Sequence, residues 1–302
     1  MFQTILFATS ATGVCDHAAR VAFEMAKRYG AELTLLHIIG VPSRGYSQMV
    51  RDVKTGETVP IDDDYCQWVE EEIRTHYRRQ LADYDRVRIE LALGYPHREI
   101  LRYLRKNNPD IVIMGGATDP EASGYKKVMA GSTLHYVAKH SPCPVLVVAR
   151  MAASFWGGIS NIVYGTDFSK ASDAAFEYAV KIARALDCEL HLFHAVDISS
   201  VHGGKLMEQE LIEANIRTAR NRIRGRYVKQ LGDFKNYSVE VWEGLPYVEI
   251  VKYAREKQAD LIVMAHHARE ADADNVRLGS NMEQVLMRAN CPVLSVNRLQ
   301  PE

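Results

Sequence analysis

The sequence carries one pattern twice, and this internal repeat limits the fold more than any other feature. "TILFATS" (4–10) resembles "NIVYGTD" (161–167), and later blocks match in the same order. The further pairs are "AELTLLHII" (31–39) with "CELHLFHAV" (188–196), "LGYPHREILRYLRKNNPDIVIMG" (93–115) with "EGLPYVEIVKYAREKQADLIVMA" (243–265), and "AGSTLHYVAKHSPCPVLVV" (130–148) with "LGSNMEQVLMRANCPVLSV" (278–296). A fairly constant offset indicates two copies of one domain. We therefore predict domains at residues 1–150 and 158–302.

Each copy has the pattern of alternating strands and helices. Apolar runs such as "ILFAT" and "DIVIMG" are short and continuous, which is typical of parallel strands covered on both faces. Apolar residues at helical spacing separate the runs, as at Ala18, Val21 and Met25, and Gly30 stands where a helix-ending glycine belongs. "RVRIELAL" (86–93) alternates instead, as does its counterpart "YSVEVWE", and alternation indicates an edge strand.

The predicted fold class is therefore α/β, with two Rossmann-like domains that each hold a five-stranded parallel sheet flanked by helices. Right-handed crossovers, with the third strand at an edge, favour the strand order 3-2-1-4-5. Ligands of open α/β sheets bind at the switch point, where the carboxyl ends of strands 1 and 4 meet. The residues predicted at these ends are Thr9, Ser10, Met114 and Gly115 in the first copy and Thr166, Asp167, Met264 and Ala265 in the second.

Charge and cysteine content limit the partners and the compartment. The formal net charge is -1, and each copy is close to neutral, so we expect neither nucleic acid nor a membrane surface as a partner. The five cysteines are scattered and form no Cys-x-x-Cys pattern, which suits a reducing compartment.

The sequence shows neither a membrane span nor a signal peptide. No apolar run approaches the roughly 20 residues that span a bilayer, and the N-terminus lacks the basic start of a signal peptide. We expect a cytoplasmic protein.

The repeated blocks together resemble the universal stress protein family, in its tandem form with two domains on one chain. The resemblance covers nearly the whole sequence, and "ILFATS", "GYPHREI", "DIVIMGG" and "HSPCPVLVV" carry it together with their counterparts in the second copy. It implies a small α/β nucleotide-binding fold and dimerisation through the last strand. Many members bind ATP or AMP, and others bind nothing detected.

The resemblance also implies which positions hold a nucleotide. An aspartate that ends strand 1 supports the nucleoside, and residues after the strand-2 histidine, here Ile38 and Ala195, lie beside the base. In members that bind, the strand-4 glycine, a second glycine three residues later and a Gly-Ser/Thr pair further along the chain contact the phosphates. The corresponding positions are Gly115, Gly116, Gly131, Ser132 and Thr133 in the first copy and Ala265, Gly279, Ser280 and Asn281 in the second.

Each copy departs from the family pattern. In the first, Ser10 replaces the aspartate and Thr118 stands where the second glycine belongs. In the second, Asp167 is present, but Ala265 and Ala268 replace both glycines. In both copies the number of residues from the strand-4 position, 115 or 265, to the Gly-Ser pair is larger than in the family pattern. Each copy therefore keeps part of a nucleotide site and has lost another part.

Histidines do not indicate a catalytic or metal site. His37 and His194 follow the same strand in both copies, and a structural role explains the duplication better than a catalytic base. His266 and His267 are adjacent, and neighbours on an extended segment point to opposite sides, so we predict no metal. We also find no Walker lysine and no pair of metal-binding carboxylates, and we predict no catalytic residue.

These observations predict a stress-response regulatory or protective protein that binds an adenine nucleotide, ATP or AMP, at the switch point. The two domains are expected to pack as an intramolecular pseudo-dimer through their fifth strands, an arrangement compatible with a homodimer of the whole chain. A protein partner is expected but not identified. Two alternatives stay open: a protein-interaction module that binds no nucleotide, and a slow ATPase.

Overall fold

The computed structural model describes residues 2–40, 49–51, 58–116, 132–149, 158–198, 208–266 and 280–297. We call residues 2–149 the first half and residues 158–297 the second half. The first half contains β1 (Thr4–Thr9), α1 (Asp16–Tyr29), β2 (Glu32–Gly40), β3 (Met49–Arg51), β4 (Thr58–Pro60), α2 (Asp63–His76), α3 (Arg78–Asp83), β5 (Val87–Gly94), α4 (Pro96–Asn107), β6 (Ile111–Gly115), α5 (Ser132–His140) and β7 (Val145–Val148). The second half contains β8 (Asn161–Gly165), α6 (Lys170–Leu186), β9 (Glu189–Val196), α7 (Gln209–Arg226), β10 (Tyr237–Glu243), α8 (Pro246–Glu256), β11 (Leu261–Ala265), α9 (Ser280–Arg288) and β12 (Val293–Val296).

Ten of these strands form one sheet with the order β10-β9-β8-β11-β12-β7-β6-β1-β2-β5. Within each half all the strand pairs of this sheet are parallel, and strands counted along the half follow the order 3-2-1-4-5. The alternating strands β5 and β10 lie at the two outer edges, as their patterns predict. The antiparallel hairpin of β3 and β4 was not predicted, because its strands have only three residues each.

Successive residues of each strand enter different apolar layers, because side chains alternate across a sheet. In β1, Ile5 and Phe7 pack with α1 and α2, whereas Leu6 and Ala8 pack on the other face with α4 and α5. The second half repeats this arrangement with α6 and α7 on one face and α8 and α9 on the other. Among the described helices, none has both the length and the hydropathy to cross a membrane.

The two halves join where β7 and β12 pair antiparallel, and we call this strand pair the seam. Leu146 lies opposite Leu294 in the register, and both are buried. Asn297, just beyond β12, donates its Nδ2 to the carbonyl oxygens of Ala138 and Ser141 in the first half, at 3.0 and 2.9 Å. The seam therefore buries the edge of the fifth strand in each half, whereas the third strands stay at the outer edges of the sheet.

Replacing Ser295 by valine is expected to raise the free energy of unfolding by about 1–3 kcal/mol. Ser295 is fully buried at the seam opposite Val145, and its Oγ has no hydrogen-bond partner among the described residues. A buried hydroxyl without a partner costs about that much. The corresponding position of β7 is Val147, so the first half already holds valine at the equivalent place in the seam. Chemical denaturation measures the gain.

Ser295→Ala is the control for volume, because it removes the hydroxyl and adds no atoms. The alanine variant is expected to keep most of the gain. If both variants unfold at the same or lower denaturant concentration than the parent, the unpaired hydroxyl does not cost the native state stability.

Candidate functional site

A tight turn follows β1 at the carboxyl edge of the first half. Thr9, the last residue of β1, accepts a hydrogen bond at Oγ1 from the N–H of Ala11, at 2.9 Å. Ala11 has φ 52°, a left-handed conformation that is uncommon outside glycine. The hydroxyl of Tyr77, which directly follows α2, lies 2.6 Å from Thr9 Oγ1, and both residues are buried. The tyrosine therefore connects helix α2 to the turn at the switch point.

The second half repeats the turn at the end of β8. Thr166 Oγ1 accepts from the N–H of Phe168 at 3.0 Å, and Phe168 has φ 62°. The hydroxyl of Tyr227, which directly follows α7, lies 2.9 Å from Thr166 Oγ1. The sequence analysis missed both tyrosines, although "YRRQLAD" (77–83) and "YVKQLGD" (227–233) form a further matching block that could have revealed them.

The residue inside the turn differs between the halves. In the second half Asp167 is exposed, and its Oδ1 accepts hydrogen bonds from Ser169 N–H at 2.9 Å and from Ser172 Oγ at 2.5 Å. The carboxylate is thus held at the mouth of the switch point. In the first half Ser10 Oγ lies 2.8 Å from Thr12 Oγ1 and 3.3 Å from Cys15 Sγ, so a neutral hydroxyl network takes its place.

The two repeated histidines support the turns. Nδ1 of His37 lies 3.0 Å from the carbonyl oxygen of Thr9, and Nδ1 of His194 lies 2.7 Å from that of Thr166. A carbonyl oxygen only accepts, so Nδ1 donates in both pairs. Burial lowers the pKa of both histidines, and the hydrogen bond to the carbonyl opposes that effect. A neutral imidazole that orients the strand end agrees with the structural role predicted for both residues.

Close packing accounts for both glycines at the end of β6. Neither Gly115 nor Gly116 has a positive φ. A Cβ on Gly115 would lie 3.1 Å from the carbonyl oxygen of Val14 and 3.3 Å from Cys15 Cα, in the short 3-10 turn before α1. A Cβ on Gly116 would overlap Ala149, at 2.5 Å from its Cα. Packing therefore requires glycine at position 116 and leaves little space beside Gly115, whether or not a phosphate approaches them.

The second half has different neighbours at these positions. Ser169 caps α6 directly by accepting from Ser172 N–H at 3.1 Å, and among the described residues no 3-10 turn precedes the helix. Ala265 therefore carries a methyl group at the position where Gly115 packs tightly against the 3-10 turn in the first half. His266 replaces Gly116 and is buried, and its backbone N–H donates to the carbonyl oxygen of Val296 at 2.9 Å.

The remaining predicted residues divide into two groups. Ile38, Met114, Ala195 and Met264 direct their side chains into the apolar layer beneath α4, α5, α8 and α9. The helices α5 and α9 begin at Ser132 and Ser280, followed by Thr133 and Asn281. Gly131 and Gly279 lie outside the described residues, as do Thr118, Ala268 and His267. In the described part of the chain no group of three His, Cys, Asp or Glu residues could hold a metal ion.

Replacing Gly116 by alanine is expected to lower the free energy of unfolding by about 1–3 kcal/mol, the usual cost of adding atoms to a tightly packed site. The added methyl group would meet the backbone and Cβ of Ala149, which cannot rotate away. Gly40→Ala is the matched control, because a Cβ there meets no atom of the described residues within 4 Å. Thermal or chemical denaturation distinguishes the two, and equal stability of both variants would contradict the packing explanation.

Each half has a parallel sheet with helices on both faces and a reversal of strand order, with the same turn at that point in both halves. These features define an open α/β protein, a class whose ligands generally bind at such a switch point. The model of the Universal stress protein family matches residues 1–149 and 158–297. The chain belongs to this family, so the predicted family, its tandem form and the α/β fold are confirmed.

Individual relatives show the extent of the similarity. A universal stress protein of Methanocaldococcus jannaschii is 32% identical over 147 residues, which are 47% of this chain and 84% of that protein. The crystal structure of a universal stress protein from Archaeoglobus fulgidus covers 98% of both chains with a TM-score of 0.67 and 21% identity, so the fold is shared. A solved universal stress protein in complex with cAMP covers 46% of this chain and 97% of its own, at 26% identity and a TM-score of 0.33.

Proposed function

We propose that this protein is a cytoplasmic stress-response regulator that binds an adenine nucleotide, ATP or AMP, at the switch point of its second half. The observation that carries the proposal is the carboxylate of Asp167. It is exposed at the end of β8 and held by Ser169 and Ser172. A carboxylate in a set orientation is a suitable acceptor for the hydroxyls of a ribose. The free state of all five cysteines suits the reducing environment of the cytoplasm.

The phosphates would lie toward α9, which begins at Ser280 across the switch point. The N-terminus of a helix offers unpaired N–H groups and a positive dipole end, both favourable to phosphate. Asn281 is the next residue of this helix. The base would lie at the edge formed by the ends of β8 and β9, near Ala195.

The first half supports the proposal less. Ser10 offers no negative charge to a ribose, and the glycines at 115 and 116 are explained by packing alone. Its helix α5 still begins at Ser132. We therefore expect one stronger site, in the second half, rather than two equal ones.

Isothermal titration with ATP, ADP and AMP tests the proposal. Asp167→Ala is expected to weaken binding at least about tenfold, since a lost hydrogen bond to a charged group costs about 1.5–3 kcal/mol. Ser10→Ala is the matched control at the same position of the first half, and it is expected to leave the affinity unchanged.

Three outcomes would decide between the alternatives. Absence of binding for all three nucleotides contradicts the proposal and favours a protein-interaction module. Equal loss of affinity in Asp167→Ala and Ser10→Ala contradicts the preference for the second half. Phosphate release from ATP that Asp167→Ala abolishes would support a slow ATPase, whereas release unaffected by it would argue against one.

A further inference from the structure

Helix α4 of the first half carries a cluster of positive charges, although the net charge of the whole chain is only -1. Its outward residues include Arg98, Arg102, Arg105 and Lys106, all exposed. Glu99 is the acidic residue of this helix; its side chain is only 11% exposed and pairs with Arg102 at 2.8 Å. Among the described residues the other three cations form no ion pair. Four cations within about two and a half turns make this face strongly electropositive.

Aromatic rings lie beside these cations. Tyr136 on α5 is 43% exposed and contacts two histidines, with ring centroids 4.7 Å from His97 and 4.2 Å from His140. The contact with His140 is stacked, at an interplanar angle of 27°. Tyr95, which precedes α4, is 39% exposed and lies beneath the guanidinium of Arg98 at 5.2 Å. Two large aromatic rings are therefore held in place by their neighbours, and each keeps part of its surface exposed to solvent.

A groove between α4 and α5 brings the two features together. Its volume is about 540 Å³, and it is lined by Arg98, Leu101, Arg102, Arg105, Lys106 and Tyr136. Most of the lining consists of cations, with one aromatic ring on the opposite wall. We call this surface, from Tyr95 to Lys106 together with Tyr136 and His140, the α4–α5 groove.

The second half lacks the same combination although its helices have the same positions. Val248 stands in place of Arg98, Glu256 in place of Lys106, and Gln284 in place of Tyr136. Helix α8 carries Lys252 and Arg255 against Glu249 and Glu256, so its charges cancel. The groove is thus a property of the first half alone and not a consequence of the shared fold.

We propose that the α4–α5 groove binds single-stranded nucleic acid. A row of four cations, three of which form no ion pair among the described residues, attracts a chain of phosphates, and the exposed parts of the two rings offer surface on which unpaired bases stack. A duplex would leave the rings unused, because its bases are already stacked on each other. A simple polyanion such as polyphosphate would use the cations but not Tyr136. The combination of charge and rings therefore selects a single strand.

Fluorescence anisotropy of the whole protein with labelled oligo(U) and oligo(dT) tests the proposal. The double variant Arg98→Gln/Arg105→Gln is expected to weaken binding at least tenfold at low salt. The decrease of log affinity with log salt should also become less steep by about 1.4, or about 0.7 for each phosphate that the variant no longer neutralises. The matched control is Lys252→Gln/Arg255→Gln in the second half, which removes the same number of charges and is expected to change neither quantity.

Tyr136→Gln installs the residue of the second half and tests the stacking. It is expected to weaken binding to the oligonucleotides about tenfold, within the range for one base stacked on an aromatic ring, and to leave the salt slope unchanged. Circular dichroism confirms that the variant is folded.

Several results would overturn the proposal. These are absence of oligonucleotide binding, equal weakening in the control double variant, and equal affinity for duplex RNA. Binding of polyphosphate as tightly as of oligo(U), with no effect of Tyr136→Gln on either, would show a general polyanion surface instead. Enhanced affinity for a phosphorylated peptide over oligo(U) would identify a protein ligand and also contradict the proposal.

Discussion

A protein that consists of residues 1–150 alone is expected to form a homodimer. In the whole chain β7 pairs with β12, and Val145, Leu146 and Val147 are at most 2% exposed. Without the second half these apolar side chains and an open strand edge would face water, which favours pairing with another strand. β12 is the copy of β7, so a second β7 can take its place in the same antiparallel register.

Analytical ultracentrifugation of the fragment measures this effect. Leu146→Lys in the fragment places a charge at the centre of the strand pair and is expected to shift the mass to that of a monomer. Tyr136→Gln, on an exposed surface of the same half, is the control and should leave the dimer intact. A fragment that is folded and monomeric at tens of micromolar would contradict this prediction. It would show that pairing at the seam depends on the differences between β7 and β12.

Tyr227→Ala is expected to lower the free energy of unfolding by about 3–5 kcal/mol, the usual cost of removing a large buried aromatic side chain. Tyr227 is fully buried, with ring centroids 5.5 Å from Tyr164 and 4.8 Å from Phe176. Its hydroxyl also supports the turn through Thr166. The variant would therefore lose both core packing and the anchor of the switch-point turn. Chemical denaturation measures the loss.

Tyr227→Phe separates the two contributions. It keeps the ring and is expected to cost about 1–2 kcal/mol, the net value of the hydroxyl's hydrogen bonds to Thr166 and Tyr164, because Thr166 Oγ1 still accepts from Phe168 N–H. Tyr77→Phe is the corresponding variant in the first half, where the hydroxyl bonds to Thr9, and it should cost about 1 kcal/mol. A phenylalanine variant as unstable as Tyr227→Ala would mean that the hydroxyl, and not the ring, supplies most of the stability.

Much of the fold follows from short-range patterns in the sequence. Continuous apolar runs predicted the buried parallel strands, alternation predicted the edge strands β5 and β10, and Gly30 ends α1 with φ 60° as expected. These features depend on residues close together in the chain, so a local pattern reports them. The hairpin of β3 and β4 did not follow from the sequence, since strands of three residues are too short for a pattern.

The candidate site was less predictable. The sequence located the switch point and Asp167, but it gave the glycine pair at 115 and 116 the appearance of a phosphate loop. The packing of these glycines against Cys15 and Ala149 depends on distances between segments that are far apart in the chain. Residue type alone cannot separate a glycine that admits a ligand from one that admits a neighbouring backbone.

By itself, the sequence determined that the chain has two copies of one α/β domain and where each strand order reverses, because repeats and periodicity are written along the chain. Only the tertiary structure decided what surrounds those points. It placed Tyr77 and Tyr227 against threonines more than sixty residues earlier. It also gathered the cations of α4 and the ring of Tyr136 into one groove of a chain whose net charge is only -1. Electrostatic and packing effects depend on separation in space, and only the folded chain sets that separation.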